Sequence, residues 1–496
     1  MSALLNLPAE LFQYLARPPP QSLLIRGEPG TGKTTFALGL LEQFPGRRFL
    51  VSTRVSPIEL KAEFRWLDTG TGIHLIDAVR TPGDVRGAYR ALGRVSELVA
   101  GTDHEPVARS LWLPPAIQEV WSQADSSAPS MVVVDSWDAL VERYLGPPSH
   151  LEGMPDRAEI ERLLLDQMGQ GPVYTVLVTE RAEISQLDYL VNAVVETRSE
   201  DHVSRPERWM YLRKLRGTRI DTPAYPYTLE GARFHCIGPL GHELLARPVR
   251  PEPEPSPMKG WIWPGSSDFA SAFGRLPVGH LSLIERDSTV PTDSVILLVR
   301  PMAAQVALSG GRVLAMLPPS VRGSSVLRAY REYLTDEQMM RQLRFQLSGP
   351  SDDFPEELSR ILLPSPTADP GGTPGRIPEA VRFMRELEPS GAPNLSVIWV
   401  SALRAWGAET GVEPNPATLP GIALNYLSGT PAHTVFVGVA DDPLIVALRT
   451  MSSLRLRLKS TGARVFAWGE DPPTPSFVLS EGDEATGKPY RLTRIV

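Results

Sequence analysis

The feature that most constrains this chain lies at residues 27–34, where Gly27-Glu28-Pro29-Gly30-Thr31-Gly32-Lys33-Thr34 completes a G-x-x-x-x-G-K-T spacing. An apolar, strand-like run, Ser22-Leu23-Leu24-Ile25-Arg26, precedes it, and Thr35-Phe36-Ala37-Leu38-Gly39-Leu40-Leu41 opens a helix after it. That strand–loop–helix context makes the spacing meaningful, because the glycines let backbone N–H groups curl around phosphates at a helix N-terminus. Lys33 supplies a point charge to the phosphates and Thr34 is placed to ligate Mg²⁺. Gly27 through Thr35 therefore form the expected cradle of a nucleoside triphosphate, on an α/β scaffold.

The rest of the first half is consistent with that scaffold. Strands are expected at Ser22–Ile25, Arg48–Ser52, Gly72–Ile76, Met131–Val134, Thr175–Val178 and Ala193–Glu196, with helical stretches such as Thr34–Gln43 and Asp156–Met168 between them. Such alternation indicates a mainly parallel sheet covered by helices on both faces. Trp209–Leu215 and Tyr225–Leu229 read as antiparallel strands that end the unit. At 496 residues the chain exceeds one ordinary domain. Alternating proline and charge from Arg247 to Pro257 marks the boundary, giving a nucleotide domain at 1–245, an extended linker at 246–259 and a second domain at 260–496. Pro364 to Gly375 reads as a surface insertion within the second half.

The second half repeats the first in outline. Leu276 to Glu285 again resembles a strand entering a phosphate loop, yet Arg286-Asp287-Ser288-Thr289-Val290-Pro291-Thr292-Asp293-Ser294 has neither glycine nor lysine. Gly311–Leu317 takes the place of Gly46–Ser52, and Leu395–Ser401 that of Met131–Asp135, without the final acidic residue. A degenerate second copy of the same α/β fold, without nucleotide chemistry, is the expectation.

Composition excludes several classes. A formal charge of −7 argues against a broad phosphate-neutralising surface, so nucleic acid is not the favoured partner. A single cysteine, Cys236, leaves no intramolecular disulfide and fits a reducing, cytoplasmic setting. No signal peptide is visible, and Val295–Pro319, the most apolar stretch, is broken by Arg300, Pro301, Gly310, Gly311 and Arg312, which favours a buried helix and strand over a membrane span. His74, His104 and His150 show no ligand spacing. Trp261 and Trp263 are expected to pack on the second domain's sheet, and Leu454-Arg455-Leu456-Arg457-Leu458-Lys459 alternates as a strand with one wet basic face.

The run Met131-Val132-Val133-Val134 ends in Asp135, where a carboxylate faces the phosphate loop and can hold the water shell of Mg²⁺. Together with Val51-Ser52-Thr53-Arg54-Val55-Ser56-Pro57, Val132-Val133-Val134-Asp135-Ser136-Trp137-Asp138-Ala139-Leu140 and Arg213-Lys214-Leu215-Arg216-Gly217, these motifs resemble the KaiC/GvpD-like branch of the RecA-type ATPases. The resemblance covers about residues 1–240, with a fainter echo over about 260–496. It implies ATP and Mg²⁺ as ligands, Thr34 and Asp135 at the metal, and Lys214 and Arg216 reaching the γ-phosphate of a neighbouring subunit in a homo-oligomer. It also implies a regulatory role through a protein partner, met here by the second domain.

One departure bears on catalysis. Active relatives carry a glutamate after the second strand, whereas Ser52 to Pro57 holds no carboxylate, and Glu28 and Asp138 stand elsewhere. Arg54 is a candidate to hold the γ-phosphate instead. Glu180 reads either as a sensor of the nucleotide or as a loop cap. A regulatory ATP-binding protein with slow hydrolysis is expected. The alternatives are a DNA-transacting ATPase and a scaffold for which nucleotide is a permanent folding ligand. The absence of an Asn-Lys-x-Asp motif leaves adenine over guanine to the resemblance.

Overall fold

A computed structural model describes residues 7–18, 21–68, 70–79, 114–124, 129–145, 157–168, 173–202, 205–240, 250–331, 333–347, 354–363, 377–385, 391–411, 413–428, 430–482 and 487–496. It divides into two compact units, Met1–Gly238 with Ile495–Val496, and Pro239–Arg494. The insertion expected at Pro364–Gly375, and both His104 and His150, lie outside the described residues.

The strands of the first unit are β1 (Gln21–Gly27), β2 (Arg47–Ser52), β3 (Ile73–Asp77), β4 (Ser130–Asp135), β5 (Val173–Val178), β6 (Ala193–His202), β7 (Arg205–Leu215), β8 (Ala224–Thr228) and β9 (His235–Cys236). They form one sheet in the order β3-β2-β4-β5-β1-β6-β7-β8-β9. Pairing is parallel from β3 through β6 and antiparallel from β6 onward. The parallel strands are continuous apolar runs because both faces are covered. Leu23, Ile25, Leu50, Met131 and Val133 join one core with Phe36. Leu24, Phe49, Val51, Val132 and Val134 join the other with Trp137. Successive side chains thus go to opposite faces, as the pleat dictates. The expected strands are all present, but β6 runs past Glu196 to His202, since its antiparallel pairing with β7 continues to His202–Arg205.

The second unit contains a two-stranded ribbon, β10 (Trp261–Ile262) with β11 (Leu276–Pro277). Its main strands are β12 (Leu281–Arg286), β13 (Val313–Leu317), β14 (Leu343–Leu347), β15 (Asn394–Trp399), β16 (Ala432–Val439), β17 (Ser452–Thr461), β18 (Arg464–Asp471), β19 (Phe477–Glu481) and β20 (Tyr490–Arg494). Their order, β14-β13-β15-β16-β12-β17-β18-β19-β20, reproduces that of the first sheet place by place, with the same switch to antiparallel pairing after β17. The chain is a tandem repeat of one fold. Val295–Pro319 is resolved as the helix Thr292–Leu308 followed by β13.

The repeat conserves a buried ion pair while exchanging its charges. Arg26 on β1 stands opposite Glu196 on β6, with Nη2–Oε2 at 3.0 Å. At the matching place Glu285 on β12 stands opposite Arg457 on β17. Glu285 takes Arg449 at 2.6 Å, Arg455 at 3.1 Å and Arg457 at 3.6 Å. Leu454, Leu456 and Leu458 do alternate into the core, but the basic face of β17 is occupied by these pairs rather than left wet, because β17 is an interior strand between β12 and β18. Removing a buried partner leaves charge uncompensated. Glu285→Gln should therefore destabilise the second unit by about 3–5 kcal/mol, read from its denaturant midpoint.

Within residues 250–259, expected as part of an extended linker, Pro251 is buried and Glu252 and Glu254 bond to the second unit, while Pro255 to Lys259 are exposed. The Glu252 N–H donates to Gly265 O at 2.9 Å and its own carbonyl accepts from Trp263 Nε1 at 2.9 Å. Glu254 pairs with Arg275 at 2.5 Å, and the guanidinium of Arg275 lies 5.2 Å from the Trp263 ring. Proline favours the extended backbone here, and the interleaved glutamates find partners. Trp263 is buried, whereas Trp261 is 41% exposed.

Stability of the first unit should depend on pH. Burial alone would raise the Glu196 carboxyl, but hydrogen bonds from Arg198 and Arg213 and the charge of Arg26 bring it below its ordinary 4.5. Glu10 is also lowered: burial opposes the shift, and backbone hydrogen bonds together with the Tyr225 hydroxyl outweigh it. A carboxylate lowered on folding stabilises above its unfolded value and loses that contribution as pH falls through the folded one. The contribution of these two carboxylates to the unfolding free energy should be level above about pH 5.5 and decline as pH falls below about 4.5, measured by urea titration of wild type against Glu196→Gln across that range.

Candidate nucleotide site

The loop between β1 and the helix Lys33–Gln43 keeps the shape that its glycines permit. Gly27 lies so close to β6 that a Cβ there would sit 2.2 Å from the Thr197 carbonyl oxygen. Gly32 takes φ of 78°, and a Cβ would meet Leu229 at 2.6 Å. Thr31 Oγ1 shares a 2.8 Å hydrogen bond with Thr197 Oγ1, and the Tyr227 hydroxyl donates to Thr31 O at 2.5 Å. Arg208 donates to Gly30 O at 3.0 Å. β6, β7 and the end of β8 thus buttress the loop, which the sequence did not reveal because these contacts join residues 166 to 196 positions apart.

The helix behind the loop begins at Lys33 with Gly32 as its N-cap and no side-chain cap. Its first backbone N–H groups lack intrahelical acceptors, so they remain directed toward an anion. Lys33 Nζ donates to Gly27 O at 2.7 Å and Glu28 O at 2.8 Å. Burial lowers its pKa, opposed by Asp135, Glu180, Asp138 and Glu28. Glu28, Pro29 and Gly30 form the exposed rim of the loop, while Thr35 is buried behind it.

Asp135 at the end of β4 accepts from Thr34 Oγ1 at 2.6 Å, so the expected metal pair meets across 101 residues. Burial pushes the Asp135 carboxyl up, with the Thr34 hydrogen bond and Lys33 acting against it. A hydroxyl and a carboxylate at the edge of a phosphate loop are the oxygen ligands Mg²⁺ takes.

Arg54 follows β2, and its Nε lies 2.5 Å from Glu180 Oε1 rather than over the loop. Glu180 also accepts from Ser136 Oγ at 2.9 Å. Asp138 fixes this corner: it accepts from Thr179 Oγ1 at 2.6 Å and Glu180 N–H at 2.9 Å, and pairs with Arg157 at 2.6 Å. Burial would raise the Asp138 carboxyl, but those hydrogen bonds and the nearby arginines hold it below its ordinary value. The nearest carboxylate after β2, Glu59, is used in a capping box with Ser56 on the helix Pro57–Glu63. The Ser-x-x-Glu spacing was the signal for it.

Lys214 and Arg216 lie at the other end of the sheet. Lys214 stands opposite Val194 on β6, whereas the loop contact on β6 is Thr197. Three residues of strand place these levels about 10 Å apart. The Lys214 ammonium turns further away, onto the carbonyls of Asp188 at 2.9 Å and Val191 at 2.7 Å. Arg216 is exposed, and its carbonyl accepts from Arg17.

The matching corner of the second unit is closed. Arg286 donates to Val290 O at 2.7 Å, the Asp287 N–H donates to Leu458 O at 2.9 Å, and Arg457 pairs with Asp287 at 2.5 Å. β15 ends in buried Trp399, where β4 ends in Asp135.

Protein GvpD2 of Halobacterium salinarum is 26% identical over 517 aligned positions, which cover 99% of this chain and 96% of that protein. The resemblance to the KaiC/GvpD-like branch of the RecA-type P-loop ATPases thus extends along nearly the whole chain. Protein GvpD1 of the same organism is 31% identical over 248 positions, 48% of this chain and 41% of its own length. A solved KaiC-like protein from Pyrococcus horikoshii OT3 aligns at 19% identity with a TM-score of 0.31, over 44% of this chain and 90% of its own. No family model matches the chain. Among the described residues, this KaiC/GvpD-like protein has no helix long and apolar enough to cross a membrane.

Proposed function

We propose that the first unit binds ATP with Mg²⁺ and hydrolyses it slowly, and that nucleotide state governs self-assembly and the partner the second unit engages. The observation that carries this reading is the convergence of three groups on an uncapped helix N-terminus: Lys33 folded over the loop, Thr34, and Asp135 hydrogen-bonded to it. The backbone of Gly30 to Thr35 and the Lys33 ammonium bind and orient the triphosphate, while Thr34 and Asp135 hold the metal. Mg²⁺ supplies charge neutralisation to the β- and γ-phosphates when bound. No carboxylate follows β2 directly, where active relatives place the group that orients the attacking water, and slow turnover is expected.

The test is ATP turnover under excess nucleotide, together with solution mass with and without ATP·Mg²⁺. Turnover well below about 1 s⁻¹ and a mass increase that needs ATP are expected. Brisk turnover, or a mass indifferent to nucleotide, overturns this reading.

Stoichiometry offers a separate check. With the second unit's loop filled by Arg286, Asp287 and Arg457, calorimetric titration should give one nucleotide per chain rather than two.

A further inference from the structure

We propose that Glu180 is the carboxylate that orients the attacking water, and that Arg54 is the latch that restrains it. This rests on the nucleotide-binding reading above and deepens it. Strand order places Glu180 at the site. β5 lies between β4 and β1, and at the level of Val178 its neighbours are Asp135 on one side and Ile25 on the other. Thr179 N–H still bonds Ile25 O at 2.9 Å, so Glu180 leaves the sheet between the metal carboxylate and the phosphate loop. A glutamate after β2 would have to reach across β4 to the same space; one after β5 enters it directly.

Its surroundings fit that task. Asp138 holds the Glu180 backbone through the N–H, and Ser136 holds one carboxylate oxygen, Oε1. That oxygen is also the one Arg54 takes. The position is therefore fixed by Ser136 at the end of β4 and by Asp138 on the helix Trp137–Leu145, and its Oε1 is taken by the Arg54 guanidinium. Arg54 and Glu180 are 54% and 39% exposed, and an ion pair so open to water is weak and exchangeable. It can slow turnover without abolishing it.

In the step proposed, Glu180 accepts a hydrogen bond from the water and turns its lone pair toward the γ-phosphorus. The water oxygen forms the new bond to that phosphorus, and the bond from phosphorus to the β–γ bridging oxygen breaks. ADP leaves with that electron pair, and the water's proton ends on the released phosphate. While Arg54 sits on Oε1, the carboxylate is neutralised and misdirected, and the step waits on its release.

The experiment uses the full chain and three variants, Glu180→Gln, Arg54→Ala and the double change, with ATP affinity measured first and single-turnover phosphate release second. Expected are ATP affinities within about three-fold of wild type throughout, a loss of at least about 100-fold in release for Glu180→Gln, and a gain of about two- to five-fold for Arg54→Ala. The double change should release phosphate as slowly as Glu180→Gln alone. Glutamine keeps the bond to Ser136, so retained affinity distinguishes a lost function from a lost fold. Release within three-fold of wild type in Glu180→Gln overturns the assignment of Glu180. A fall rather than a rise in Arg54→Ala overturns the latch. A wild-type chain that binds no ATP would instead bring down the underlying reading, and the affinity measurement reports that separately.

Discussion

Lys33→Ala is expected to weaken ATP·Mg²⁺ binding by about 100-fold or more while leaving the fold intact. The ammonium bridges two loop carbonyls, Gly27 O at 2.7 Å and Glu28 O at 2.8 Å, from a largely covered position. With nucleotide present those donors turn to phosphate oxygens, where each charge-assisted hydrogen bond contributes about 1.5–3 kcal/mol. Losing two of them costs two or more orders of magnitude in affinity. The fold should survive, because the loop is buttressed independently by Thr197, Tyr227 and Arg208. Calorimetric titration of wild type and variant, with circular dichroism on both, makes the measurement. A loss under about five-fold would mean that the loop does not hold the triphosphate through Lys33.

Much of this site was legible along the chain because its parts are local. The phosphate loop is a contiguous run, and Asp135 ends an apolar strand that could be placed from sequence alone. The tandem fold was legible for a similar reason: the central parallel strands are buried on both faces and stand out as apolar blocks, and the blocks recur in one order. What stayed hidden were the relations set by sheet order. Glu180 reads as the residue after a strand; only the placement of β5 between β4 and β1 makes it a neighbour of Asp135. The exchange of Arg26–Glu196 for Glu285–Arg457 is invisible in the same way, since each partner lies about 170 residues from the other and only register unites them. The proline-rich segment is ambiguous for another reason. Its composition reports a preference for extended backbone, and an extended segment can pack as well as span.

Replacing Lys214 and Arg216 together by alanine should lower turnover by about 10³-fold, and mixing should restore part of it. Within one chain these residues cannot serve its own loop: Lys214 stands about 10 Å of strand from the Thr197 level and points toward the carbonyls of Asp188 and Val191. If they act on a nucleotide at all, it is one bound to a neighbour. A chain carrying Lys33→Ala keeps its basic pair but binds ATP about 100-fold or more weakly, and the Lys214→Ala, Arg216→Ala chain keeps its loop but offers no basic pair. Combined, the two inactive proteins form junctions in which an intact loop faces an intact pair. In equimolar mixtures about a quarter of the junctions should be of this kind if chains assort at random head to tail, against about one in a thousand of wild-type activity in the Lys214→Ala, Arg216→Ala protein alone. The measurement is phosphate release from the mixture after co-assembly with ATP·Mg²⁺. Activity that stays at the level of the separate proteins, while mass measurements show mixed assemblies, would remove the basic pair from the chemistry. The Lys214 ammonium would then have a structural task alone, binding the carbonyls that lead into β6.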